Sequence, residues 1–272
     1  MKRISNNIDY NSEKIKQLIK MNKDIEYNKE RLQEYLKFFN KDIDFVKNAT
    51  EKYSINSIEF KTKCLYPKFF YKMDTNAEIF NSYNNASELY SLRQLMGRPN
   101  KFDGELDVFK FMENKLRKSA VVMDYGCCVG DFSILFSKMG FEVIAIDLDI
   151  PTFKFAKQRF INRNLKIETY SVTEAMKPPK LNSKVDFIFC RDVLEHTVNP
   201  IEILKYFYNN LNCDGYMYIS TMNPGDKIYI GAEHLEKTIK LANTKEYKTF
   251  FEKHFINIGM HGLYKKNCNK LL

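Results

Sequence analysis

The residues that point most directly to chemistry are two glycines and the carboxylates around them. In VVMDYGCCVGDFSILF (Val121–Phe136) an apolar run ends at Asp124-Tyr125, the turn Gly126-Cys127-Cys128-Val129-Gly130 follows, and Asp131 comes next. Glycine serves where a backbone turns sharply or lets a ligand approach. A pyrophosphate asks for a bare helix N-terminus and a G-x-G-x-x-G spacing. This chain has Gly126-x-x-x-Gly130 and then Asp131, whose carboxylate repels phosphate and tolerates an amine or a sulfonium. Asp147 stands 21 residues after Gly126, at the end of the next apolar run. A carboxylate there can accept hydrogen bonds from both hydroxyls of an unmodified ribose. The pattern describes a ligand with a ribose, no phosphate and a positive charge.

Such a turn works only if strands and helices hold it in place. From Lys101 onward the periodicity alternates between the two. Strands are predicted at Val121–Tyr125, Phe141–Asp147, Lys166–Tyr170, Val185–Arg191 and Tyr216–Thr221. Helices are predicted at Glu105–Arg117, Asp131–Met139 (stopped by Gly140), Pro151–Arg163 (proline at its first position) and Pro200–Leu211. Apolar strands alternating with helices give an α/β, doubly wound, mostly parallel sheet covered on both faces. The ligand then sits past the carboxyl ends of the strands, where the Gly126–Gly130 turn lies.

Residues 1–100 read as a helical extension or cap, and 101–272 as the α/β domain. Apolar residues recur on one stripe from about Asn11 to Lys47: Ile25, Leu32, Leu36, Phe39, Ile43 and Val46. The stripe suits a helix pair packed on its own domain, or the seam of a homodimer. The aromatic, Asn-rich stretch up to Asn100 reads as a capping segment of short helices, with turns at Tyr66-Pro67 and Gly97-Arg98-Pro99-Asn100.

S-adenosylmethionine has the ribose, the positive charge and no phosphate; NADP fits badly. At this point the chain also resembles a family, the class I S-adenosylmethionine-dependent methyltransferases. VVMDYGCCVGD is similar to their first motif, with Cys128 in place of its middle glycine, and VIAIDLD to the second. VDFIFCRDVLEHTVNP (Val185–Pro200) is similar to the fourth-strand region and LNCDGYMYIST (Leu211–Thr221) to the fifth. The LEH wording resembles the small-molecule, ubiquinone-biosynthesis-like branch. The resemblance covers about residues 105–221, implies a seven-stranded sheet, and assigns late antiparallel strands to FINIGMHGLYKK. It places Gly126, Cys127 and Gly130 beside the methionine part of the cofactor and gives Asp124 the bracing of the loop or the cofactor amine. It gives Asp147 the ribose and Leu148 the adenine, Thr173 or Glu174 the adenine amino group, and Arg191 a place with Asp192 beside the methyl group.

Methyl transfer to a hydroxyl needs in-line positioning and a base. Asp192, Glu195, His196 and His234 are the candidates. Imidazole titrates near neutrality, which suits His196. Glu195 can orient His196, or hold a divalent metal with Asp192, although no metal is expected. The acceptor expected is a hydroxyl of a small polar metabolite, a sugar or nucleotide-linked sugar first, with Arg191, Lys227 and Tyr90 available to a phosphate or sugar. RNA methylation and a non-catalytic scaffold of the same fold remain alternatives.

Composition sets bounds on these readings. The 272 residues carry 43 Lys and Arg against 34 Asp and Glu, a net charge of +9, which suits a phosphate-bearing partner. No basic cluster reaches the roughly five to eight residues of a nucleic-acid patch, so nucleic acid is not the expected partner. No apolar stretch approaches the roughly 18 residues of a membrane span. The six cysteines form no C-x-x-C pair, so reduced thiols in a cytoplasmic protein are expected.

Overall fold

A computed structural model describes residues 25–51, 73–96, 102–227 and 234–269. Its centre is a seven-stranded sheet: β1 (Val121–Tyr125), β2 (Glu142–Leu148), β3 (Ile167–Val172), β4 (Val185–Cys190), β5 (Leu211–Ile219), β6 (Phe255–Asn257) and β7 (Leu263–Lys266). The order is β3-β2-β1-β4-β5-β7-β6. The first five strands are parallel, and β7 runs antiparallel to both β5 and β6. This is the expected doubly wound fold, with FINIGMHGLYKK supplying the last two strands. Strand order reverses direction at β1, which lies between β2 and β4, and the loops that leave β1 and β4 there open a crevice.

The strands sort their side chains with period two. Val122, Phe187 and Phe189 face one layer with Phe109, Phe132 and Phe136, whereas Met123, Ile188 and Met217 face the other with Leu204 and Phe207. The covering helices are α1 (Ile25–Phe39), α2 (Ile43–Glu51), α3 (Asn76–Met96), α4 (Leu106–Lys115), α5 (Asp131–Met139), α6 (Pro151–Asn162), α7 (Pro200–Asn210), α8 (Glu236–Ala242) and α9 (Lys245–His254). Helix α5 has the predicted bounds, ending on Gly140 at φ 97°. The strand after α7 starts at Leu211 rather than Tyr216, with a register irregularity between Val185 and Phe187.

Two expectations change. Among its described residues the Asn-rich stretch holds one 21-residue helix, α3, rather than short ones. No glycine or proline interrupts it, and a capping box starts it: Glu78 Oε2 accepts from the N–H groups of Asp74 and Thr75, and Thr75 Oγ1 accepts from the Glu78 N–H at 3.2 Å. Those donors hold the Glu78 carboxyl below its usual range. Much of the N-terminal stripe packs within the chain, as a helix pair on its own domain would: Leu32, Leu36, Phe39 and Val46 lie with Tyr35, Leu92, Leu95, Val129 and Phe155, while Ile43 is exposed. Cys213 and Cys268 form a disulfide with Cα atoms 5.6 Å apart, so reduced thiols do not describe that pair. The expected turns at Tyr66-Pro67 and Gly97–Asn100, the boundary at residue 100, and the stripe before Ile25 lie outside the described residues. Among the described residues no helix is long and apolar enough to cross a membrane.

Candidate active site

The turn after β1 carries an unusual backbone. Gly126 (φ 80°), Cys128 (φ 55°) and Gly130 (φ 81°) are all left-handed, alternating with Cys127 and Val129. Protein neighbours enforce the two glycines. A Cβ on Gly126 would lie 2.3 Å from Val193, and one on Gly130 would lie 2.4 Å from the Phe160 ring. The Gly126 and Cys127 N–H groups both donate to Ile146 O, tying the turn to β2. Asp147 completes that tie: its carboxylate accepts from the Cys128 N–H at 2.5 Å and from its own neighbour Leu148 N–H at 2.6 Å. Beneath the turn, Ser133 Oγ donates to Asp124 Oδ2 at 2.5 Å, so Asp124 braces the loop against the first turn of α5.

A cavity of about 470 Å³ opens over this turn, at the carboxyl ends of β1, β2 and β4. Gly126, Cys128, Asp147 and Leu148 form one end of its wall; Asp192, Val193 and His196 form another part. Tyr83 and Tyr90 of α3 close it from above, with their rings edge-to-face at 5.5 Å.

The structure does not bring all the sequence candidates to this wall. Asp124 and Cys127 are buried behind it, with Cys127 among Ile134, Ala145 and Phe153. Gly130 faces Phe160 rather than the cavity. Thr173 and Glu174 are exposed and stand aside, while Val172, Ala175 and Met176 line the wall in their place. Arg191 turns away to pair with Glu105 at 2.6 Å. Asp131, read from the sequence as a counter-charge facing the ligand, points into the protein and is held between Arg31 and Arg159 at 2.8 and 2.9 Å. Its two guanidinium partners explain why a carboxylate tolerates burial there. Lys227 is exposed and outside the cavity lining. Tyr83 and Met176 were missed, because nothing local in a helix or loop tells which face a distant cavity will use.

The four acid–base candidates separate by their partners. Asp192 is left-handed at φ 54°. Its Oδ1 accepts from Ser220 Oγ at 2.9 Å, and its Oδ2 lies 2.9 Å from Arg191 Nη1. Ser220 and Arg191 thus hold the Asp192 carboxylate by both of its oxygens. His196 lies on the short 3₁₀ helix Leu194–His196 and faces the cavity. Glu195, 2% exposed, accepts from Thr221 Oγ1 at 2.5 Å, and its other oxygen is 3.8 Å from His196 Nε2. The His234 ring lies 5.2 Å from that of His196. One ligand atom each from Glu195, His196 and His234 falls within 4.8 Å of the others, a donor set that could hold a divalent cation. Asp192, the expected partner of Glu195 in that role, is not of this group; His234 takes its place. His254 is buried and bonded to Phe250 O, and His261 is exposed beside Asp226. Burial pushes the Cys127 and Cys190 thiols up, so neither supplies a thiolate nucleophile near neutral pH.

Residues 99–256 match a family described as "Methyltransferase domain". The chain belongs to that methyltransferase-domain family. It is 30% identical over 141 residues to the ubiquinone biosynthesis O-methyltransferase of Haemophilus ducreyi, covering 48% of this chain and 58% of that one. Against the enzyme of the same name from Glaesserella parasuis it is 33% identical over 126 residues, 43% of this chain and 53% of that one. The chain thus spans little more than half the length of these curated relatives. Among solved structures, the PH0226 protein of Pyrococcus horikoshii aligns at TM-score 0.47 and 15% identity, over 65% of this chain and 95% of that one.

The methyl donor of this methyltransferase domain is S-adenosylmethionine. Of the two carboxylates expected to meet it, Asp147 lines the cavity and Asp131 does not. Burial raises the Asp147 pKa to about 6, against the pull of the Cys128 and Leu148 N–H donors. A folded pKa raised this way stabilises the protein only at low pH, and that contribution is lost as pH rises through about 6. The ribose role expected for Asp147 gives ligand binding the opposite sense, because hydroxyls donate to the ionised form. Calorimetric affinity for S-adenosylhomocysteine is therefore expected to be flat above pH 7 and to weaken as pH falls through about 6. An unchanged affinity at pH 5 would remove Asp147 from the ribose site. Cys128→Gly places glycine at φ 55°. It is expected to hold or tighten that affinity, and complete loss of binding would contradict the placement of the loop.

Proposed function

We propose that the chain is an S-adenosylmethionine-dependent O-methyltransferase whose acceptor is a hydroxyl on the aromatic ring of a small molecule. The observation that carries this is the lining of the cavity: Tyr83, Tyr90, Met176, Val193, Val198 and Ile203 line it with His196, and the Tyr83 ring lies edge-to-face 6.2 Å from that of His196. An aromatic ring gains from such walls through burial and edge-to-face contact. The charges around it do not favour the diphosphate of a nucleotide sugar. Among the described lining residues Lys177 is the one lysine or arginine, against the carboxylates of Asp147, Asp192 and Glu202. The basic net charge of the chain therefore does not report on this cavity. The relatives' name, ubiquinone biosynthesis O-methyltransferase, points to a ring of the same kind.

The donor supplies a methyl on a sulfonium, an activated leaving group. The chain's residues supply the rest. Gly126, Cys128 and Asp147 fix the donor end, the tyrosines orient the ring, and His196 takes the hydroxyl proton as the oxygen attacks in line. Glu195 orients His196. Because Glu195, His196 and His234 also converge, a second reading has a divalent cation held by this trio to lower the pKa of the hydroxyl.

A single assay tests both readings: release of S-adenosylhomocysteine with a simple catechol, 3,4-dihydroxybenzoate, against UDP-glucose. Turnover of the catechol and none of UDP-glucose is expected. His196→Ala is expected to lower kcat by about 10²–10⁴ with S-adenosylhomocysteine affinity unchanged. If dialysis against EDTA abolishes turnover and Mg²⁺ or Mn²⁺ restores it, the cation reading replaces the His196 base. Turnover of UDP-glucose alone would overturn the aromatic acceptor.

A further inference from the structure

We propose that Arg31, on the N-terminal helix α1, is a positioning residue for the cofactor loop. The inference rests on the reading that the Gly126–Gly130 turn receives S-adenosylmethionine. A chain of alternating charges runs from α1 through the end of that loop to α6. Arg31 Nη2 lies 2.8 Å from Asp131 Oδ2, with both side chains 1% exposed. Asp131 Oδ1 accepts from Arg159 Nη1 at 2.9 Å, and the same nitrogen donates to the backbone oxygen of Val129. Arg159 Nε lies 3.4 Å from Glu34 Oε2, and Glu34 returns to α1 after accepting two donors from Arg163.

Asp131 is both the first residue of α5 and the residue after Gly130, so fixing its carboxylate fixes where the turn ends. Arg159 holds the carbonyl of Val129 within the turn. Apolar packing covers the same side: Val129 is fully buried with Tyr35, Leu92, Leu95 and Phe155, and Cys128, Leu32 and Leu36 pack against them. The Tyr35 hydroxyl donates to Glu88 O at 3.1 Å, joining α1 to α3, and Ser91 of α3 donates to Thr152 in the cavity wall. The turn is therefore pinned from inside by Asp147 and Asp124, and from outside by a helix that precedes it by about a hundred residues. An unpaired Asp131 carboxylate at this depth could not keep its place, because a buried charge without its partner is strongly unfavourable. Removing Arg31 takes away one of the two guanidinium groups that hold Asp131, and with it the charged tie from α1 to the end of the loop.

Arg31→Met removes the charge, and Arg31→Lys keeps it but loses the forked donor. Two readouts are needed on folded protein, checked by far-UV circular dichroism. One is S-adenosylhomocysteine affinity by calorimetry. The other is the rate of Cys128 alkylation by iodoacetamide, located by peptide mass, with and without S-adenosylhomocysteine. The expected result for Arg31→Met is a Kd raised by roughly 5–150-fold, faster Cys128 alkylation, and a smaller change of the same sign for Arg31→Lys. If Arg31→Met does not fold, Arg31→Lys is decisive alone. A lowered melting temperature with wild-type affinity and alkylation would make Arg31 merely structural and overturn the inference. If the wild-type protein itself fails to bind S-adenosylhomocysteine, the cofactor reading falls and takes this inference with it.

Discussion

The constraint on which the rest depends is a short backbone segment that must be left-handed at every second residue, Gly126, Cys128 and Gly130, while only two of the three are glycine. A side chain in that region costs about 1–2 kcal/mol, so Cys128 holds its conformation only because its surroundings demand it. The demand is visible on every side. Asp147 takes the Cys128 N–H, Ile146 takes those of its two predecessors, and Arg159 takes the Val129 carbonyl. Phe160 and Val193 leave no room for a Cβ at the glycines. The two glycines that looked like a ligand's requirement are in the first place requirements of packing.

That distinction explains which parts of the site were legible in the sequence. The sheet was legible because apolar strands with period-two sorting, Gly140 and Pro151 are local signals, and α5 fell on its predicted bounds. Asp147 and His196 were legible as residues of the crevice because Asp147 lies at the carboxyl end of β2 and His196 on the loop that follows β4. The Thr75–Glu78 capping box is equally local and marks the start of α3, yet composition drew attention instead to its asparagines.

What escaped the sequence is what depends on distant partners. Asp131 has the residue type of a counter-charge for a cation, but Arg31 and Arg159 decide its direction, and Arg31 lies a hundred residues away. Arg191 follows β4 where a ligand contact would serve, and Glu105 draws it off. The meeting of His234 with Glu195 and His196 is made by the Leu235 N–H on Glu195 O and the Thr238 hydroxyl on Thr197 O, hooks that no spacing announces. The net charge says little of the site for a related reason: a sum over 272 residues carries no information about which of them line one cavity.

The most direct measurement of the central claim is a crystal structure with S-adenosylhomocysteine bound. The account predicts the ribose hydroxyls on the Asp147 carboxylate, the sulfur directed toward His196, and the space between it and Tyr83 and Tyr90 open for a ring. A ribose anywhere else, or a crevice closed by its own side chains, would contradict it.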